Sequence, residues 1–167
     1  MTREKYICKI ASPAEMEAKW KYEIERHPGN GNWAVWRQEA IDDYLTGKAI
    51  PYYGLLDESI ICEATAAISP DTVQNSADMM DGHTAYLCAF RTNEGYRGKG
   101  YFSILLRHML DDLKRKGFTK AVLGVEPDEE KNKAMYRHWG FTEYLKTKKE
   151  TYPDGTEITV EYYLKRL

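Results

Sequence analysis

Gly95-Tyr96-Arg97-Gly98-Lys99-Gly100-Tyr101 sets three glycines beside two cations, just ahead of a helical pattern. A glycine-rich bend that feeds a helix leaves main-chain N–H groups unpaired at the helix start, and the helix dipole adds partial positive charge there. Gly98 and Gly100 carry no side chain to hold a ligand away, and Arg97 and Lys99 add full charge. These are the ingredients of a phosphate or diphosphate cradle. Two familiar cradles do not match. A Walker loop follows its lysine with Ser or Thr, whereas Lys99 is followed by Gly100 and Tyr101. A dinucleotide fingerprint reads GxGxxG, whereas this order is GxxGxG. The alternative is a glycine-rich connection that binds nothing, but two extra cations and two spaced glycines are more than a turn requires.

Two carboxylates stand where proton chemistry could use them. Glu63 interrupts the apolar run 60–68, a costly place for a charge unless it is paired or functional. Glu126 ends the apolar run 121–125, at the strand end where ligand sites of parallel sheets open. Glu63 could equally face solvent on an edge strand, and Glu126 could be a hydrated strand end. Tyr86 and Cys88 lie on the preceding strand, and neither is an obvious base at neutral pH. Trp33, Trp36, Tyr44, Tyr52 and Tyr53, with Glu39, Asp42 and Asp43, make an aromatic and acidic set that suits a cationic amine. A helix with an apolar face and a solvated acidic face would read the same way.

The elements that must position these groups follow from local patterns. Residues 6–10 read as a strand. Ser12-Pro13-Ala14-Glu15 reads as a helix start with a capping box, and His27-Pro28-Gly29 ends that helix. Asn32 is positioned to cap a second helix, which Gly47 stops. Runs 50–56 and 60–68 read as strands joined at Asp57-Glu58-Ser59. A polar loop over 69–83 and a strand over 84–90 follow. Phe102, Leu105, Leu106, Met109, Leu110 and Leu113 form one apolar helix face that Gly117 ends. A strand at 121–125, a short helix at 130–138 and a hairpin around Tyr152-Pro153-Asp154-Gly155 complete the chain. One crossover helix makes its two flanking strands parallel, and the hairpins add antiparallel strands.

The chain has 167 residues, which predicts one domain over 1–167. Its 24 Lys and Arg against 26 Asp and Glu argue against a general nucleic-acid binder. No apolar run is long enough to span a membrane. Met1-Thr2-Arg3-Glu4-Lys5 is charged, with no signal-peptide core behind it. Cys8, Cys62 and Cys88 are widely spaced in apolar stretches and read as reduced, buried thiols of a cytoplasmic protein. No cysteine or histidine spacing suggests a metal.

Arg97-Gly98-Lys99-Gly100 with the following helix resembles motif A of the GNAT superfamily of acyl-CoA-dependent N-acetyltransferases, and Asn132 to Phe141, with Tyr136 and Gly140-Phe141, resembles its motif B. The likeness is strong from Thr84 to Phe141 and compatible in element order throughout. Two positions depart from the family: Phe102 stands where Gly or Ala is usual, and Glu129 stands where an Asn is frequent. The resemblance implies an α/β fold with a mixed, mostly antiparallel sheet of about seven strands and helices on both faces. It implies acetyl-CoA as cosubstrate, held by the main chain of Phe90, Arg91 and Thr92, by the loop from Arg97 through Gly98, Lys99, Gly100, Tyr101 and Phe102, and by Asn132. Tyr136 is then the acid for the leaving thiolate.

The implied reaction moves an acetyl group to a primary amine of a small molecule by direct attack in a ternary complex, without a metal. An amine of pKa about 10.4 is free base in roughly one molecule in 2,500 at pH 7, a handicap of about 4.6 kcal/mol, so a base is needed. Glu126 is the first candidate, with Glu63 or a water chain as alternatives. A non-catalytic acyl-CoA-binding module on the same fold is the competing reading. A homodimer is compatible with either.

Overall fold

The computed structural model describes residues 4–167, so the charged start at Met1-Thr2-Arg3 lies outside the described residues. The chain runs β1 (Tyr6–Ile10), α1 (Pro13–Arg26), α2 (Asn32–Leu45), β2 (Ala49–Leu56), β3 (Ser59–Ala67), β4 (Thr84–Thr92), α3 (Tyr101–Arg115), β5 (Lys120–Val125), α4 (Glu130–His138), β6 (Glu143–Thr151) and β7 (Glu157–Arg166). A single 3₁₀ turn, Pro70–Thr72, interrupts the loop after β3.

Seven strands form one sheet in the order β1-β2-β3-β4-β5-β7-β6. Every pairing is antiparallel except β4 with β5. The α/β, mostly antiparallel architecture is therefore the expected one. Asp57 and Glu58 both take positive φ, which gives the β2–β3 hairpin the two-residue turn that matches strand twist. At the other hairpin the Gly155 N–H donates to the Tyr152 carbonyl across the expected turn.

The helices cover both faces because the strands alternate. Tyr52, Leu56, Ile61, Leu87 and Leu123 join Leu105, Leu106, Met109 and Leu113 of α3 in one core. Tyr53 and Leu55 point the other way, onto Met16 and Trp20 of α1 and partly buried Trp33 and Trp36 of α2. Val122, Val160, Tyr162 and Leu164 form a third cluster, with Met79 of the loop after β3 packed against them. Burying the α3 face, four side chains with almost no exposure, contributes several kcal/mol at about 1.5–3 kcal/mol each.

Four expectations change. Tyr52 belongs to the α3 core and donates to Asp112 Oδ2 at 2.6 Å, so it cannot help line an acceptor pocket beside α2. Asn32 does not cap α2: Gly31 holds that position, and the Asn32 side chain donates to Asp154 Oδ2 at 3.1 Å on the β6–β7 turn. Cys62 alone among the cysteines is fully buried, while Cys8 and Cys88 keep partial exposure. Glu63 is neither solvent-facing nor on an edge strand, since β3 is interior and Glu63 is 4% exposed.

Candidate active site

The site begins where two parallel strands part. β4 pairs with β5 only from Thr84 opposite Lys120 to Leu87 opposite Leu123. Beyond that point β4 carries a bulge against β3, where the register slips between Glu63 and Thr65. Ala89, in the bulge, takes φ 57°, a left-handed conformation that an alanine adopts only when its surroundings require it. The bulge turns the end of β4 away from β5 and frees main-chain groups of residues 88–92 on that side.

The glycine loop stands above this gap. Gly98 and Gly100 both have positive φ, and a Cβ added at either would meet nothing within 4 Å. The space beside the main chain is open to a ligand. Gly100 is also the N-cap of α3 and supplies no side-chain cap, so first-turn N–H groups of α3 face the loop without a side-chain partner. Arg97 Nε donates to the Thr92 carbonyl at 3.0 Å, tying the loop back to the end of β4. The α3 start is pinned from the other side: Tyr6 of β1 donates to the Tyr101 carbonyl at 2.9 Å, and its ring packs tilted against the Tyr101 ring at 4.8 Å.

A cleft of about 770 Å³ runs beneath the loop. Phe90, Arg91, Thr92, Arg97, Gly98, Gly100, Tyr101, Phe102, Asn132 and Tyr136 all line it, so nearly the whole set named from sequence converges on one space. Lys99 and Glu126 are the exceptions: neither lines the cleft, and Lys99 is exposed. Phe102 fits despite its departure from the family pattern. Its ring packs on Phe90 at 5.0 Å and on Trp139 at 5.6 Å, and so forms wall rather than obstruction. Asn132 donates to Glu129 Oε2 at 3.0 Å, which fixes its amide at the cleft rim. Open glycine main chain, an uncapped helix start and an aromatic-walled slot fit a CoA diphosphate followed by a narrow pantetheine arm.

Tyr136 lies on α4, edge-on to Phe90 at 6.0 Å. Burial, with the Glu129 carboxylate nearby, pushes its phenol up to about 12, so it stays protonated and can donate. Glu126 directly follows β5 but does not line the cleft. Its carboxyl is held above the ordinary range by burial, then by a hydrogen bond with Glu129 and the charge of Asp128. Glu63 is ion-paired with Arg91. Burial raises its carboxyl and the Arg91 charge opposes that rise, so it is a committed partner rather than a free base. Cys88, beside the bulge, is pushed up to about 12 by burial and is not a thiolate at neutral pH.

Sequence reading missed the α1 side of the cleft. Glu23, His27 and Asn93 line it too, and His27 stacks on Trp33 at 3.9 Å. Spacing in α1 signalled only a helix face, because the partner segment lies some 70 residues away. Among the described residues no group of three His, Cys, Asp or Glu side chains could hold a metal ion, and no helix is long and apolar enough to cross a membrane.

Parted parallel strands, a glycine loop at a helix start and a tyrosine on the next helix are the arrangement that the resemblance to acetyltransferases implies. The family model for the acetyltransferase (GNAT) family matches residues 12–141, and the chain belongs to that family. Its fold is similar to ribosomal-protein-S18-alanine N-acetyltransferase from Escherichia coli, with TM-score 0.69 and 16% identity over 97% of this chain and 94% of that one. A probable acetyltransferase from Staphylococcus epidermidis gives TM-score 0.71 and 11% identity, covering 97% and 99%. A putative acetyltransferase from Salmonella typhimurium, solved with its cofactor acetyl-CoA, gives 0.66 and 14%, covering 97% and 94%. These identities speak for the fold alone. No curated protein sequence matches the chain.

Proposed function

We propose that the protein is an acetyl-CoA-dependent N-acetyltransferase whose acceptor is the primary amine of a small cationic molecule. The observation that carries this reading is the gap between β4 and β5, which opens into a cleft walled by the glycine loop and Tyr136. Acetyl-CoA would supply the activated acyl group there. The loop N–H groups and Arg97 hold the diphosphate, the main chain of residues 90–92 holds the pantetheine arm, and Asn132 steadies it at the rim. Glu126 takes the proton from the amine, and Tyr136 gives its own proton to the departing sulfur. The raised Cys88 thiol supports direct attack by the amine over an acyl-enzyme.

The acceptor side supports a cation. Glu39 is held above the ordinary carboxylate range by burial and then by Asp43, and Asp43 by burial first. Trp36 meets Tyr152 of the β6–β7 turn edge-on at 5.2 Å, joining α2 to the hairpin. Burial, then the charges of Glu126, Glu150 and Glu129, raises the Tyr152 phenol, which gathers these carboxylates around the same turn.

The test is release of free thiol from acetyl-CoA with a panel of diamines, polyamines, amino acids and peptide N-termini. Turnover with a cationic small amine supports the reading. A second reading, a non-catalytic acyl-CoA-binding module, draws on Glu126 standing outside the cleft. Calorimetric binding of CoA with no thiol release from any acceptor would favour it.

A further inference from the structure

We propose that Lys19 and Glu23 of α1 form a clamp that holds the end of β4 in register for the pantetheine arm, which makes them positioning residues of the cofactor site. The proposal rests on the reading that the main chain of residues 90–92 carries that arm. Among the described residues three charged side chains are buried: Lys19 at 2%, Glu23 at 7% and Glu63 at 4% exposure. Two of them engage one short segment directly, Lys19 through Asn93 and Glu63 through Arg91, and Glu23 holds Lys19. Lys19 Nζ donates to Glu23 Oε1 at 2.8 Å and to Asn93 Oδ1 at 2.7 Å. Asn93 is gripped again by its own amide, which donates to the Ile60 carbonyl at 3.1 Å. Two residues earlier, Arg91 pairs with Glu63, and its guanidinium lies over Trp20 at 5.4 Å and Trp33 at 4.8 Å.

Alternation along the strand gives this grip its meaning. Side chains 91 and 93 are held on the α1 and α2 side, while Phe90 packs on Phe102 and Tyr136 on the other. The end of β4 has lost its β5 neighbour, so no strand fixes it on that side. A buried ion pair is a poor way to gain stability, because well-packed apolar groups do as well or better. A lysine that reaches two acceptors at once is a good way to fix a distance. Lys19 spans from its own helix to Asn93 and so sets how far the end of β4, paired here with β3 alone, stands from α1.

The test is calorimetry with two probes, CoA and adenosine 3′,5′-bisphosphate, which shares the adenosine, the 3′-phosphate and the inner 5′-phosphate but lacks the outer phosphate and the pantetheine arm. Lys19→Met/Glu23→Met removes both charges and leaves neither unpaired. The double variant is expected to weaken CoA binding about tenfold, the worth of a lost charge-assisted hydrogen bond, while bisphosphate binding stays within about twofold. The kcat/KM for acetyl-CoA falls in parallel. Equal weakening of both probes, or unchanged CoA binding, overturns the clamp. Asn93→Ala leaves α1 intact and carries the same two-probe test should the double variant not fold. Wild-type protein that binds neither probe would overturn the cofactor reading itself, and the clamp with it.

Discussion

In the proposed reaction Tyr136 and Glu126 would divide the proton work between a group held protonated and a group whose ionisation is delayed. A phenol at about 12 is a weak acid beside a thiol of pKa about 8.5, so in that role it would act only in contact with sulfur as negative charge forms. Tyr136→Phe keeps the ring contacts with Phe90 and Trp139 and loses only the proton. The expected result is a fall in kcat of about a hundredfold with CoA affinity unchanged, read by steady-state kinetics beside calorimetry. Glu126 must be ionised to accept a proton, and burial with Glu129 raises its carboxyl. The acidic limb of kcat/KM therefore lies above the ordinary carboxylate range. Glu129→Gln removes the like charge and keeps an oxygen for the Asn132 amide. The Glu126 carboxyl then ionises earlier, and the acidic limb moves to lower pH. A limb that stays in place would take the proton from Glu126 and return it to a water chain.

Elements carry these residues through contacts that sequence shows unevenly. Ser12 and Glu15 do form the capping box, because both partners lie within one turn. The Tyr152–Gly155 turn and the apolar face of α3 were legible for the same reason of short range. The bulge at Ala89 was not, since an alanine carries no mark of the left-handed conformation its neighbours impose. Nor was the face of Tyr52: adjacent Tyr52 and Tyr53 point to opposite sides, and only the packed helices decide which side is which. Glu63 was singled out correctly as a costly charge, but its partner Arg91 lies 28 positions on and came to attention only for its main chain. Gly54 passed unnoticed. An added Cβ there would overlap the Tyr6 hydroxyl and crowd the Cys62 sulfur. That hydroxyl pins the α3 start through the Tyr101 carbonyl, so a mid-strand glycine helps to position the glycine loop. Gly54→Ala is expected to cost about 1–3 kcal/mol by overpacking and to weaken CoA binding as well. Thermal unfolding with calorimetry separates this from plain destabilisation, in which Tm would fall with CoA affinity kept.

Across the whole molecule the net charge of −2 conceals a division of labour. Arg26, Arg91 and Arg97 line the cleft assigned to an anionic cosubstrate. Glu39 and Asp43 on α2, with Glu126, Glu150 and Asp154 around Tyr152, stand toward the route assigned to the amine. In the proposed reaction the two substrates would thus approach the sheet gap from different directions, each toward side chains of opposite charge. Such steering is screened by salt, with a range of about 10 Å at 0.1 M falling to about 3 Å at 1 M. KM for a diamine should rise severalfold as salt is raised from about 0.05 to 0.5 M, because two cationic centres sample the acidic side. KM for a monoamine of similar length should rise less, since only its reacting nitrogen is charged. An amine that also carries a carboxylate should be acetylated poorly at low salt and improve relative to the diamine as salt increases. Ranking KM for the three acceptors across a salt series measures the field directly. Identical salt responses for all three would mean that the acidic groups of α2 and the β6–β7 turn play no part in bringing the amine to the gap, and the acceptor would then have to be sought among uncharged or peptide-borne amines.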